Sequence, residues 1–178
     1  MRSIAEAVQR HARQQPGQVA LVFEGRTINY AELAAQAEQF ARALASTGVL
    51  PGDRVALFLG NCPEFVTAYL GTHLAGGIVV LVNAQYREVE LRHIMTDAGV
   101  RLCVTGAAGA EEVEQLALPD LTTLVIVDAD ASALPSPPRR RRAGGEDAPH
   151  PRQLAYAEFV AGDDPDAPLP ALPEPEAP

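Results

Sequence analysis

The sequence predicts an α/β protein with a doubly wound, mostly parallel sheet, a small β-hairpin, and a Pro-rich, largely irregular C-terminal tail. Short apolar runs of strand length alternate along the chain with stretches whose apolar residues recur at helical spacing. The strand-like runs are apolar throughout, which is typical of parallel strands covered on both faces. Because crossovers between parallel strands are right-handed, this alternation indicates an open, doubly wound layer.

The first helices are predicted from their start signals. A polar residue three positions before a glutamate can cap a helix, because its side chain accepts from a free backbone N–H and the glutamate reaches back. The corresponding helices are predicted over residues 3–14, 30–47 and 63–74. The three capping pairs are Ser3/Glu6, Asn29/Glu32 and Asn61/Glu64.

Between the first two helices the sequence predicts a β-hairpin. Two short runs, Val19–Phe23 and Thr27–Ile28, are separated by Glu24-Gly25-Arg26. Glycine adopts at little cost the positive φ that a tight hairpin turn requires.

The remaining elements follow from composition and periodicity. Helical spacing predicts helices over residues 89–98 and 110–116, and one short helix over 154–160 in the tail. Continuous apolar runs predict buried strands over residues 54–59, 78–82, 102–105 and 123–127.

Charge and proline are unevenly distributed, which predicts two regions. Residues 1–106 hold nine acids and nine arginines, so the net charge of −9 belongs to the rest of the chain. Eleven of the 15 prolines lie after Ala131. We therefore predict a folded α/β region over residues 1–130 and an acidic linker or tail over residues 131–178. The tail has too few large apolar residues to offset the entropy of ordering it.

The cationic residues exclude mechanisms that require a lysine side chain. All 14 are arginines, so no lysine is present for a Schiff base or a P-loop. The acidic balance disfavours nucleic acid as a partner. The one basic cluster, Arg139–Arg142, has no interleaved aromatic residue, so a solvated loop is favoured over an anion-binding patch.

The cysteines, the N-terminus and the longest uncharged stretch indicate the expected cellular compartment and whether the chain crosses a membrane. Cys62 and Cys103 form no CxxC motif, and no histidine pair has metal-binding spacing, so neither a disulfide scaffold nor a metal site is predicted. The N-terminus has no apolar signal segment, and a cytoplasmic location is expected. The uncharged 22 residues 65–86 are long enough to cross a bilayer, but Gly76-Gly77 divides them into a helical and a β-branched part. We predict a buried helix and strand there, and no transmembrane segment.

Three loops follow the carboxyl ends of predicted strands, where open α/β sheets bind ligands. The loop 60–63 lacks GxGxxG, and the loop 105–110 lacks the lysine and hydroxyl of a P-loop, so we interpret them as a helix cap and a strand-to-helix turn. Asn83 and Arg87 follow the strand 78–82 and are candidates for lining a substrate cleft. Asn83 can equally hydrogen-bond its own loop backbone. No residue is assigned to catalysis or to a metal.

The order of these segments resembles the AMP-forming, adenylate-forming enzymes, which include the acyl-CoA synthetases and AMP-dependent ligases. The similarity covers about residues 1–130. Arg87 stands where that family often has a serine or threonine cap. The segments that carry the resemblance are Val19–Val22, Thr27–Leu33, Gly48–Ala56, Asn61–Phe65, Leu74–Asn83 and Glu90–Thr105.

The resemblance implies an ATP-dependent carboxylic acid–CoA ligase that acts in two steps. ATP and the acid give an acyl-adenylate and pyrophosphate, and the CoA thiol then displaces AMP. The complete enzyme would use ATP, Mg²⁺ and CoA. The family's Gly/Ser/Thr loop that ends in Pro-Lys-Gly and its catalytic lysine have no counterpart in these 178 residues.

We therefore expect an N-terminal segment of such an enzyme, inactive alone and without a tightly bound cofactor. Its α/β layer would support the ATP loop and one wall of the acyl pocket. Two alternatives remain open, a non-catalytic degenerate adenylation module and a flavodoxin-type binder of small nucleotides.

Overall fold

The computed structural model describes residues 3–129, 151–162 and 168–169. The helices are α1 (Ile4–Gln14), α2 (Tyr30–Ser46), α3 (Pro63–Leu74), α4 (Glu88–Ala98), α5 (Ala107–Gln115) and α6 (Tyr156–Ala161). The strands are β1 (Val19–Phe23), β2 (Arg26–Asn29), β3 (Arg54–Phe58), β4 (Ile78–Leu81), β5 (Val100–Gly106), β6 (Thr123–Val127) and β7 (Arg152–Ala155).

Five strands form one sheet in the order β4-β3-β5-β6-β7. The pairs β3–β5, β5–β6 and β6–β7 are parallel. Strand β4 also runs parallel to β3, because the N–H of Ile78 donates to the carbonyl of Asp53 and the N–H of Val82 to that of Leu57, four residues further along each strand. Numbered along the chain the order is 2-1-3-4-5, which is a doubly wound order. The predicted α/β fold class is confirmed.

The predicted hairpin is also confirmed. Strands β1 and β2 pair antiparallel and form a separate two-stranded sheet. Glu24 and Gly25 at the turn have φ values of 48° and 79°, so both central residues are left-handed. That conformation matches the twist of the flanking strands.

The fifth strand of the sheet differs from the prediction. The sequence predicts a helix over residues 154–160, whereas β7 continues to Ala155 and α6 begins only at Tyr156. Strand β7 lies in register with Thr123–Ile126 of β6. Its residues, Arg-Gln-Leu-Ala, have little intrinsic strand preference, so the extended backbone comes from pairing with β6. The domain boundary near residue 130 stays a prediction.

The described residues fall into two compact units. Of the described residues, 3–53, 61–78, 162, 168 and 169 belong to the helical unit. Residues 54–60, 79–129 and 151–161 belong to the sheet unit.

The helical unit packs α1, α2, α3 and the hairpin around a small apolar core. Helices α2 and α3 come closest at the buried Gly71. A Cβ atom at Gly71 would lie 2.7 Å from the carbonyl oxygen of Ala37 and 2.8 Å from Cβ of Phe40. The backbones can therefore approach this closely because position 71 has no side chain. The buried core residues are Ala5, Ile28, Leu33, Ala37 and Leu70.

Two of the three predicted capping boxes are present. Ser3 Oγ accepts from the N–H of Glu6 at 3.2 Å, and Asn29 Oδ1 accepts from the N–H of Glu32 at 2.9 Å. Both glutamates accept in return from the N–H of the capping residue. These two helix starts are confirmed.

The third predicted box, Asn61 with Glu64, is wrong. The N-cap of α3 is Cys62, whose side chain makes no capping hydrogen bond, and Pro63 follows at the first helical position. Proline suits that position because its fixed φ is helical and its missing N–H needs no acceptor. Pro63 thereby moves the N-cap from Asn61 to Cys62.

The sheet unit buries an apolar cluster between α4, α5 and the strands β3, β5 and β6. Leu91 and Met95 of α4 lie at its centre and are fully buried. The other buried members are Ala56, Phe58, Val82, Val100, Cys103, Val113, Leu116, Leu118, Leu121 and Leu124.

Arg54 caps the C-terminal end of α4. Its Nε donates to the carbonyl of Ala98 at 2.6 Å, and its Nη2 donates to that of Gly99 at 2.9 Å. Gly99 has a left-handed φ of 59°, and a Cβ atom there would lie 2.7 Å from Arg54 Nη2. The left-handed backbone favours glycine at this helix end, and a side chain there would displace the guanidinium of Arg54.

Within the part of the chain that the structure describes, no helix is both long and apolar enough to cross a membrane. The uncharged residues 65–86 comprise most of α3, a glycine turn and β4. The predicted helix followed by a strand is therefore confirmed. The prediction that the strand is buried is wrong, because β4 lies at the edge of the sheet and its residues Ile78 and Leu81 are exposed.

His73 should make the helical unit less stable in mild acid. Burial lowers the pKa of His73, whose ring packs edge-on against Tyr69 with centroids 4.8 Å apart. Below a pH of about 6.5 the unfolded chain binds a proton at this residue more readily than the native chain does, so stability falls as the pH falls. We expect the urea midpoint to drop between pH 7.5 and pH 5.5 by more in the wild type than in His73→Gln. Equal drops in the two proteins would contradict this account.

Candidate functional site

The sheet order places a topological switch point between β3 and β5. The chain leaves β3 for β4 on one side and then crosses to β5 on the other. In doubly wound sheets the ligand crevice lies outside the carboxyl ends of the strands at such a point. In the sheet unit this point lies at Phe58 and Gly106, where β3 and β5 end.

The turn from β5 into α5 is unusually tight. A Cβ atom at Gly109, in the first turn of α5, would clash with the hydroxyl of Thr105 and would lie 3.0 Å from the Phe58 ring of β3. The missing side chain at Gly109 thus lets the start of the helix pack directly on the strand ends. The predicted strand-to-helix turn is confirmed, although α5 begins at Ala107 instead of Ala110.

Thr105 is a polar residue at this turn that the sequence did not single out. It is fully buried, and its hydroxyl has no hydrogen-bond partner among the described residues. Its strand position and its apolar neighbours in sequence made it resemble a core residue. The close approach of Gly109 and Phe58 depends on tertiary packing, so no local sequence signal indicates it.

Asn83, one of the two predicted cleft residues, lies exposed just after β4. Its Oδ1 accepts from the N–H of Gln85 at 2.9 Å, and its carbonyl accepts from the N–H of Tyr86 at 2.9 Å. This is the local loop bonding that the sequence also allows.

Arg87, the second predicted cleft residue, lies exposed on the same loop at the N-cap position of α4. Its Nη1 donates to the carbonyl of Tyr86 at 2.9 Å and lies 3.8 Å from Oε1 of Glu112 in α5. An exposed ion pair of this length contributes little to stability. The structure therefore brings Asn83 and Arg87 to one loop, and their role as cleft residues stays a prediction.

Arg92 has a structural role that sequence reasoning missed. Its Nη1 donates to the carbonyl of Leu116 at 2.7 Å, and its Nη2 pairs with Glu88 at 3.0 Å. Leu116 is the C-cap of α5, so Arg92 supplies a cation to that helix end. This contact joins α4 to the C-terminal end of α5.

The two thiols should react very differently. Cys62 is half-buried, and burial raises the pKa of its thiol. Cys103 is fully buried, and burial raises the pKa of its thiol to about 12. We expect a thiol reagent to label one cysteine in the native chain and the second only in urea, with the pH midpoint of native labelling above that of a free thiol. Native labelling that persists in Cys62→Ser would contradict this assignment.

The metal-ligating and cationic side chains of the chain are limited in kind and placement. Within residues 3–129 and 151–162 no three His, Cys, Asp or Glu side chains lie close enough to hold a metal ion. The full sequence contains no lysine for a phosphate. The turn at Gly106 offers only the free N–H groups of one helix start.

Comparison with known proteins identifies the family. The family model for the AMP-binding enzyme matches residues 8–162. The chain belongs to the AMP-binding enzyme family. The resemblance inferred from the sequence is thereby confirmed, and it extends past residue 130 through β7 and α6.

Individual relatives include ligases and a synthetase. Triostin synthetase I of Streptomyces triostinicus is 32% identical over 154 residues, which cover 85% of this chain and 28% of that protein. The 3-hydroxybenzoate–CoA/4-hydroxybenzoate–CoA ligase of Thauera aromatica is 30% identical over 145 residues, covering 82% of this chain and 25% of that protein. The long-chain-fatty-acid–CoA ligase of Bacillus subtilis is 39% identical over 90 residues, covering 51% of this chain and 16% of that protein.

Solved structures share the fold. The anthranilate CoA ligase AuaEII, in complex with anthranoyl-AMP, superposes with a TM-score of 0.75 at 19% identity, covering 92% of this chain and 28% of that one. A benzoate CoA ligase from Burkholderia xenovorans LB400 gives a TM-score of 0.71 at 19% identity, covering 99% of this chain and 31% of that one. The chain therefore spans less than a third of the length of each of these relatives.

Proposed function

We propose that this chain is the N-terminal segment of an ATP-dependent carboxylic acid–CoA ligase. The proposal rests on how much of this chain and how little of each relative the matches cover. The family match takes up nearly all of the described chain, whereas the matched relatives are at least three times longer. CoA is proposed as the thiol because two of these relatives are named as acid–CoA ligases. The proposed compartment is the cytoplasm.

In the proposed reaction the carboxylate oxygen of the acid attacks the α-phosphorus of ATP, and the bond to pyrophosphate breaks. The CoA thiol then attacks the acyl carbon, and AMP leaves. Charge develops on phosphate oxygens, so the catalytic groups must be cations and N–H donors. No catalytic residue is assigned to this chain.

The role proposed for this segment is to support the site. In the sheet unit the carboxyl ends of β3, β4 and β5 lie at the same end of the sheet. The loop with Asn83 and Arg87 lies at that end and is proposed as one wall of the acyl pocket. The Arg92 and Arg54 contacts hold α4 in place behind it.

The reading frame beyond codon 178 tests this proposal. We expect a Gly/Ser/Thr-rich loop ending in Pro-Lys-Gly to follow residue 178. A stop codon directly after residue 178 in intact genomic DNA would overturn the ligase proposal and favour the non-catalytic module.

The flavodoxin-type alternative has one observation in its favour, since flavodoxins share the 2-1-3-4-5 strand order. Titration of the 178-residue chain with AMP, ATP, CoA and FMN separates it from the main proposal. We expect no saturable binding of any of them by the chain alone. Saturable FMN binding would support the alternative.

A further inference from the structure

The connection between β6 and β7 contains the one basic cluster of the sequence. The two strands are neighbours and run parallel, so the chain leaves β6 at one end of the sheet and enters β7 at the other. Residues 128–151 therefore form a crossover, and the run Arg139–Arg142 lies near its middle. Residues 130–150, which include this run, lie outside the described part of the chain.

The handedness of crossovers determines which face of the sheet this connection follows. Crossovers between parallel strands are right-handed in about 98% of cases. The step from β5 to β6 and the step from β6 to β7 go in the same direction across the sheet, so two right-handed crossovers lie on the same face. The first of them contains α5. The handedness rule therefore puts the second crossover beside α5, on the side of the helix nearer to β7.

The two flanks of α5 carry carboxylates that face different neighbours. Glu112 faces α4, where its Oε1 lies 3.8 Å from Nη1 of Arg87. Glu114 faces β7, where its Oε1 accepts from Nε2 of Gln153 at 3.1 Å. Glu111 is exposed and lies three residues before Glu114, so the two are neighbours on the helix surface. Among the described residues, neither Glu111 nor Glu114 forms an ion pair with a cation.

The charges of this flank and of the crossover are complementary. Residues 107–129 hold five acids and no arginine, lysine or histidine, whereas Arg139–Arg142 supply four guanidinium groups. We propose that the flank of α5 that carries Glu111 and Glu114 (the acidic flank) is the docking surface for Arg139–Arg142. A guanidinium suits this role because its planar fork can bind a carboxylate through two parallel hydrogen bonds. The sequence alone favours a solvated loop for this run, and the parallel pairing of β6 with β7 is the observation that changes the assignment.

The length of the crossover and its two fixed ends favour this occupant. Strand β6 has five residues and is about 17 Å long, so the residues between β6 and β7 are more than enough to return along it and to reach α5 on the way. An exposed ion pair alone contributes little. Here the arginines are tethered at both ends, which raises their effective concentration at the acidic flank, and several pairs form together. The contact should therefore weaken in high salt.

Paramagnetic relaxation enhancement tests the proposal on the 178-residue chain. A nitroxide spin label is attached to Gln115→Cys, an exposed position one helical turn from Glu111, in a Cys62→Ser background that leaves only the buried Cys103 as a second thiol. We expect the amides of residues 139–142 to lose at least about half of their signal at 0.1 M salt. Most of that signal should return at 1 M salt, where the Debye length falls from about 10 Å to about 3 Å.

A charge variant of the same labelled chain provides a second arm. Glu111→Gln with Glu114→Gln keeps the size of both side chains and removes their charge, so the signal loss at residues 139–142 should fall at least about threefold at 0.1 M salt. The matched control is Glu24→Gln with Asp97→Asn, which removes two charges from exposed positions on the hairpin and on α4. It should leave the signal loss unchanged.

Three outcomes would overturn the proposal, and they differ in meaning. Equal signal loss with and without the charges of Glu111 and Glu114 would return the arginine run to a solvated loop. Signal loss that disappears in Asp163→Asn with Asp164→Asn, and persists in the α5 variant, would assign the arginines to the acidic C-terminal residues. Signal loss in a mixture of a spin-labelled chain and a separate ¹⁵N-labelled chain would assign them to a second copy. None of these outcomes affects the ligase proposal, because the contact is independent of catalysis.

Discussion

Replacing Gly71 with alanine should destabilise the helical unit by about 2 kcal/mol. The new Cβ would lie 2.7 Å from the carbonyl oxygen of Ala37 and 2.8 Å from Phe40, and the first of these is a backbone atom that cannot rotate away. Alanine favours a helix over glycine by about 1 kcal/mol, which offsets part of the cost. The steric cost of overpacking should exceed the gain in helix propensity, because the close contact joins two helix backbones. Urea unfolding followed by far-ultraviolet circular dichroism measures the change.

Gly17→Ala is the matched control for this prediction. Gly17 lies in the same unit, and a Cβ atom there would meet nothing within 4 Å. Its unfolding free energy should stay the same or rise by up to about 1 kcal/mol, because alanine reduces the entropy of the unfolded chain. If both variants behave alike, close helix packing at Gly71 is not the cause.

Replacing Leu91 with alanine should cost the sheet unit about 3 kcal/mol, within the usual range for a fully buried leucine. Leu91 is fully buried on α4 in the cluster that includes Ala56 of β3 and Val113 of α5. The surrounding strands and helices are fixed by their own hydrogen bonds, so they can close only part of the cavity. The lowered urea midpoint is the quantity to measure.

Val89→Ala is the control on the same helix. Val89 is 77% exposed, so little apolar area is lost, and alanine has the higher helix propensity. We expect a change in unfolding free energy within about 0.5 kcal/mol. A loss at Val89 as large as that at Leu91 would show that α4 packs by its other face.

Local signals predicted the fold well where a few adjacent residues decide the structure. Ser3 with Glu6 and Asn29 with Glu32 mark helix starts because the bonding partners are three residues apart. Asn61 failed for an equally local reason, since Pro63 fixes the first helical position. The run 78–82 could be predicted as a strand because its β-branched residues suit a pleated surface.

Features that depend on distant partners were not predicted. Strand β7 is extended because β6 lies beside it, and its own residues carry no strand signal. The close packing of Gly109 on Phe58 joins residues 51 positions apart in sequence. At the candidate site the loop bond of Asn83 was predictable, whereas the approach of Arg87 to Glu112 required the packing of α4 beside α5.

The absence of lysine from this chain can be compared with the lysine that the family resemblance implies. The chain has 14 arginines and no lysine, yet the chemistry inferred from the resemblance uses a lysine at the phosphates. In the proposed enzyme that lysine belongs to sequence that follows this segment. In the proposed enzyme, the segment itself contributes the sheet and the loops at the carboxyl ends of its strands.

Acid-dependent exchange of labelled pyrophosphate into ATP tests the central claim most directly. The assay compares the 178-residue chain with the polypeptide of the full reading frame, using a panel of aliphatic and aromatic carboxylic acids. The account predicts exchange above the blank for the longer polypeptide with at least one acid, and none for the 178-residue chain with any. Exchange by the pure 178-residue chain, or its absence from the longer polypeptide with every acid, would contradict the account.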